Sequence, residues 1–233
     1  VIQANCRAQF TADDFSFVVS TLAKSRRDAV SLVSLLSDEN ERDMILDHDL
    51  VYDSLVDRDG CLRVSAAFYF YILTRRVLRR VCLDERALTD YVAAVLLAFS
   101  HISQLKPPAD AESTARSFTY VSDLIAQLNT CAPEQALMLR AHLADYTLFL
   151  SGLFAGRVQS HAERRGAPGL GYYESVGQSS YLAVARHPRV KKTELQAVFE
   201  QLGGEFRRVR IALNDLADTL LHFQAPPAFI RAS

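Results

Sequence analysis

Residues 133–152 read PEQALMLRAHLADYTLFLSG, from Pro133 to Gly152. Pro133 suits the first turn of a helix, where a missing amide hydrogen costs little, and nothing after it breaks the helix before Gly152. Leu137, Met138, Leu143, Leu148, Phe149 and Leu150 leave this helix apolar on most of its sides. A helix without a wet face must be surrounded, so the segment predicts the central helix of the C-terminal half of an all-α protein.

On its N-terminal side, Phe118 to Leu128 predicts a helix ending near Asn129. On its C-terminal side come a shorter helix over Gly156 to Arg165 and a loop marked by Gly166, Pro168, Gly169 and Gly171. Tyr172 to Arg186 reads as helix, stopped by His187-Pro188, and a last long helix runs from about Lys191 to His222, bent at Gly203-Gly204. Pro226-Pro227 ends regular structure.

The first hundred residues repeat the pattern with shorter pieces. Thr11, followed by Asp13 and Asp14, starts a helix whose stripe is Phe15, Val18, Val19 and Leu22. A second helix spans Arg26 to Leu36. Residues 38–59 hold nine acidic residues against Arg42 and Arg58, and Met44, Ile45, Leu50, Val51, Leu55 and Val56 give that segment one inward face before the Asp59-Gly60 turn. Ser65 to about Cys82 predicts a core helix with Ala66, Phe70, Leu73, Val77 and Val81 inward and Arg75, Arg76, Arg79 and Arg80 in two rows on the other face. Asp84 and Glu85 open a further helix to Phe99. Lys106-Pro107-Pro108-Ala109-Asp110 is the strongest break, so the chain reads as one helical domain with a possible subdomain boundary at 101–112. Alternating runs suited to a sheet, internal repeats, heptads and glycine-rich phosphate loops do not occur. The expected architecture is an irregular bundle of roughly nine to eleven helices.

Composition limits the function classes. Of 233 residues, 49% are hydrophobic and 23% charged, which fits an ordinary globular protein. Lys plus Arg is 26 against 27 for Asp plus Glu, so a net charge of −1 gives no general attraction to nucleic acid or an acidic membrane. Cys6, Cys61, Cys82 and Cys131 are too far apart in sequence for a zinc or redox pair, which points to thiols in a reducing cytoplasm. No apolar run approaches the ~20 residues of a membrane span.

Chemistry-bearing residues concentrate at 140–181. His142 shares a helical face with Asp145 and Tyr146, Arg157 shares one with His161, and Tyr173, Glu174, Gln178 and Tyr181 follow closely in sequence. Two readings are open. These groups, with Arg140, could surround a polar ligand, with Glu174 the first choice for an acid or base, then His142, and Asp145 beside them. Equally, the carboxylates could satisfy Arg140 or Arg157 while Tyr146, Tyr173 and Tyr181 close a core hydrogen-bond network. His48-Asp49 is a His-Asp doublet of the kind used in metal phosphohydrolases, but no upstream histidine and downstream carboxylate frame it. The remaining histidines, at 101, 161, 187 and 222, form no metal-ligand spacing, so no metal site is assigned and any cofactor is undetermined. Arg75, Arg76, Arg79 and Arg80 form the main basic patch, with Arg207, Arg208 and Arg210 a lesser one. Without interleaved aromatics they favour ion pairs with the acidic 38–59 segment over nucleic acid.

Two stretches, Phe68-Tyr69-Phe70-Tyr71-Ile72-Leu73-Thr74-Arg75-Arg76 with Leu88-Thr89-Asp90-Tyr91-Val92-Ala93, and Asp145-Tyr146-Thr147-Leu148-Phe149-Leu150-Ser151-Gly152-Leu153-Phe154 with Gly171-Tyr172-Tyr173-Glu174-Ser175-Val176-Gly177, resemble an uncharacterised group of bacterial all-helical proteins. The resemblance covers most of the chain and implies a bacterial cytosolic origin, but it transfers no activity. The function expected from the residues is helical binding or protein interaction, with a second copy or another protein as partner. The alternative is a cofactor- or metal-dependent enzyme with its pocket at 140–181.

Overall fold

A computed structural model describes residues 4–57, 63–105 and 111–224. Among them the chain forms a 3-10 turn, Arg7–Gln9, and an irregular bundle of eleven α-helices with no strand. The helices are α1 (Ala12–Leu22), α2 (Arg26–Leu36), α3 (Glu39–Leu46), α4 (Asp49–Val56), α5 (Ala66–Arg80), α6 (Arg86–Leu105), α7 (Ala111–Thr130), α8 (Pro133–Leu153), α9 (Ala155–Arg165), α10 (Leu170–Ala185) and α11 (Glu194–Gln224).

Local chemistry accounts for most helix starts. Thr11 Oγ1 accepts from Asp14 N while Asp14 Oδ2 accepts from Thr11 N at 2.7 Å, a reciprocal cap on α1. Asp14 is itself buried, because it also accepts from the amide of Ser65 at 2.6 Å and from its hydroxyl at 2.8 Å. Ser65 in turn caps α5 through Phe68 N, so one carboxylate joins the starts of two helices distant in sequence.

The 38–59 segment, which the sequence presents as one run with one inward face, forms two helices. Asp38 caps α3, which ends at Leu46, and His48 starts α4 by accepting the amide of Leu50 on Nδ1 at 3.1 Å. The His48-Asp49 doublet is therefore a helix start, and the Asp59-Gly60 turn lies outside the described residues. On α5 Leu73 and Val77 are buried as expected, but so are Ala67, Phe68, Tyr71, Leu78 and Arg75, whereas Ala66 is exposed. The helix ends earlier than expected, because Cys82 takes a left-handed conformation (φ 56°) and lets Leu83 N reach Leu78 O at 3.0 Å. Helices α6 and α7 extend beyond their expected limits, to Leu105 and back to Ala111. The centre of the candidate boundary at 101–112, residues 106–110, lies outside the described residues.

Helix α8 is enclosed from Ala141 onward, packing on α6, α7, α10 and α11, whereas its first two turns lie at the surface and Met138, expected inside, is 59% exposed. Its Ala141, Ala144 and Leu148 join the main core with Tyr181, Phe199 and Phe206, while Leu143 and Leu150 join a second cluster with Val121, Leu124, Val158 and Tyr173. Close approach explains Gly177: a Cβ there would lie 2.2 Å from a ring carbon of Phe206 and 2.9 Å from Thr147 Oγ1. Helix α11 bends at Glu205 (φ −108°, ψ 15°), directly after the Gly203-Gly204 pair.

Candidate functional site

The residues singled out between 140 and 181 occupy three different environments. Asp145, 1% exposed, projects from the middle of α8 to where α6 and α10 meet. Its Oδ1 accepts the hydroxyls of Tyr91 and Tyr181, each at 2.8 Å. Phe199 closes this group, edge-on to Tyr91 with ring centres 5.2 Å apart and stacked on Tyr181 at 5.9 Å. Burial lifts the Asp145 carboxyl to about 7, outweighing the two phenolic hydrogen bonds that favour its ionised form. Burial, reinforced by the Asp145 charge, pushes both phenols well above their ordinary range. A carboxyl poised near neutrality and held by two neutral donors is a structural tie between three helices, since the surrounding side chains enclose it.

Glu174 belongs to a second group. Two turns before Tyr181 on α10, it accepts from Arg210 Nε of α11 at 2.7 Å. Arg210 Nη1 donates to Asn214 Oδ1 at 2.6 Å, and Asn214 Nδ2 donates to the carbonyls of Ser151 and Gly152 in the last turn of α8. Those carbonyls have no partner within their own helix, so the relay from Glu174 caps α8 and binds it to α10 and α11. Tyr173, one residue earlier, is buried in the second cluster, and burial raises its phenol.

The other candidates lie around these groups. His142 is half-buried, its ring centre 5.7 Å from that of Phe99, and burial lowers its proton affinity. Tyr146 meets the same Phe99 ring at 5.7 Å. Arg157 lies over Phe154, 5.5 Å from the ring centre. Arg140, His161 and Gln178 are partly buried on α8, α9 and α10. Tyr91 and Asn214 were not singled out in the sequence, where Tyr91 reads as one more apolar position of α6, and Arg210 was read only as part of the lesser basic patch; the structure instead buries it against Glu174, a pairing that no local spacing indicates. Among the described residues no group of three or more His, Cys, Asp or Glu side chains could hold a metal ion.

The basic patch divides between interior and surface. Arg75, 3% exposed, grips Asp47 with Nε at 2.9 Å and Nη2 at 3.0 Å, and donates to the Asp84 carbonyl at 2.7 Å and to its carboxylate. Asp47 also meets Arg86 at 3.0 Å; Arg86 reaches Asp43 at 3.0 Å, and Asp43 reaches Arg7 at 2.6 Å. Burial alone would raise the Asp47 carboxyl, but the Arg75 hydrogen bonds and the charges of Arg75, Arg86 and Arg79 together hold it below the usual carboxylate range. Arg76 pairs with Asp49 and lies over the Tyr52 ring, while Arg79 and Arg80 are exposed. The arginine row thus fastens α5 to the acidic α3 and α4.

Concavities formed by described residues open elsewhere. One of about 450 Å³ lies at the turn between α7 and α8, and a polar one of about 510 Å³ lies beside Arg7, Arg42 and Asp90. The most apolar, about 570 Å³, is a groove between α1 and α2 floored by Phe15, Val19 and Leu36. Beside it α2 turns Val30 and Val33 outward, 67% and 57% exposed. None of these three is lined by Asp145, Glu174 or His142. Among the described residues no helix is long and apolar enough to cross a membrane. Consistent with a resemblance confined to an uncharacterised group, the chain matches no family model, no curated protein and no solved structure.

Proposed function

We propose that this chain is a bacterial cytosolic protein-interaction protein that works through the α1–α2 face. The carrying observation is the apolar groove with Val30 and Val33 exposed beside it, on a helix pair whose N-termini are both capped by hydroxyl side chains. Contiguous exposed apolar side chains next to a groove favour association, because covering them removes apolar surface from water. In the 140–181 region the carboxylates already have partners from neighbouring helices, which favours their structural use. The free thiols of Cys6, Cys82 and Cys131 and the sequence resemblance support a bacterial cytosolic setting.

The test is photo-crosslinking in cells from a benzophenone-bearing residue placed at Val33, with Arg165 at the exposed end of α9 as control. The expected result is protein adducts from position 33 that disappear with Val30→Asp. Equal adducts from both positions, or none from position 33, would sink the reading.

A further inference from the structure

We infer that the partner at the α1–α2 face is a second copy of the same chain, packed antiparallel about a two-fold axis. This rests on the interaction reading and adds the identity of the occupant. The groove runs from Ala23 and Ala29, beside the short α1–α2 connection, to Ala12 and Ser37 at its far end. With eleven residues in each helix, those ends are about 16 Å apart at ~1.5 Å per residue. They carry opposite charge. Lys24, Arg26 and Arg27 are exposed at the connection, with Asp28 beside them. Asp13, Asp38 and Glu41 are exposed at the far end, where Arg42 offsets one of them and Glu39 is already paired with Arg7 at 3.6 Å. Between the two ends lie Phe15, Val19, Val30 and Val33.

A two-fold contact places the same patch on both sides, so a patch that is basic at one end, apolar in the middle and acidic at the other is complementary to itself when turned end for end. Each basic end then meets the partner's acidic end, twice per dimer, and Val33 lies near the axis. Parallel stacking would instead oppose like charges at both ends. Only two helices of eleven residues form the face, so the dimer should be weaker than one with the ~800 Å² per partner of a standard interface and should weaken further with salt.

Sedimentation equilibrium of the full chain tests this from about 1 to 200 µM, at low and high salt. The parent should be a reversible dimer, and Val33→Asp a folded monomer. Arg26→Glu with Arg27→Glu reverses the basic end, and Asp13→Lys with Glu41→Lys reverses the acidic one. Each pair alone should weaken association about tenfold or more, whereas an equimolar mixture of the two should recover it, since both ends then match again. Circular dichroism confirms that each variant is folded. A parent monomeric at the highest concentration, or reversed variants that dimerise like the parent, would overturn the inference. If the parent is monomeric yet position 33 still gives adducts other than a doubled chain, the interaction reading stands and the second copy is excluded. No adducts at all would remove both.

Discussion

Asp145 and Asp47 are carboxylates in protected positions of the same bundle, held by opposite kinds of donor. Asp145, among α6, α8 and α10, receives two neutral phenolic hydroxyls; Asp47, between the short acidic helices and α5, is surrounded by three guanidinium groups. Burial acts against the charged form in both cases. Phenols stabilise the anion too weakly to overcome it, so the Asp145 carboxyl rises to about 7, whereas the arginines overcome it and the Asp47 carboxyl falls. The charge of the donors thus decides whether a buried acid behaves as a neutral tie or as an ionic one.

The largest expected effect is a pH dependence in the Asp145 region. Its folded-state proton affinity is raised, so its contribution is fully present below the unfolded value of 3.8 and is lost as pH rises through about 7. The gap between those values corresponds to about 4 kcal/mol. Asp145→Asn imitates the protonated acid, so urea unfolding should show the variant gaining on the parent by up to that amount from about pH 4 to pH 8. Parallel stability profiles would break the comparison at its Asp145 end.

Next in size is Arg75→Ala, expected to cost about 3 kcal/mol at neutral pH because it strips a buried partner from Asp47. The sign of the pH dependence is opposite here. The lowered Asp47 proton affinity contributes stability above 3.8 that disappears as pH falls through the folded-state value, so the deficit of the variant should shrink in acid. A deficit independent of pH would show that Arg75 acts through packing alone.

A smaller effect sharpens the contrast. Gly177→Ala forces a methyl against Phe206 and Thr147, with an expected net loss of about 1–2 kcal/mol after the helical preference of alanine is counted. A displacement of α10 would also move Tyr181 from Asp145, so the near-neutral pH dependence should change in this variant while the acid limb set by Asp47 stays in place. An unchanged profile on both limbs would mean that α10 absorbs the methyl without moving the tyrosine.

Much of the fold was legible because its signals are local. The apolar run of α8, the Thr11 start, the limits of α2 and the bend after Gly203-Gly204 each depend on residues within a few positions of one another. The split between α3 and α4 was not legible, since it turns on His48 accepting one amide in place of continuing an acidic helix. Nor was the inward turn of Arg75: helical spacing places it with Arg76 and Arg79 but does not say which row meets Asp47.

An all-helical chain, the position of its central helix and the concentration of polar groups at 140–181 follow from the order of residues alone, because hydrophobic periodicity and capping act over one or two turns. The packing of distant helices sets the rest: Asp145 meets Tyr91 and Tyr181, Glu174 meets Arg210, and Val30 and Val33 remain exposed. Those outcomes depend on which helix faces are brought together over tens of residues, and side-chain periodicity carries no information about a partner that distant.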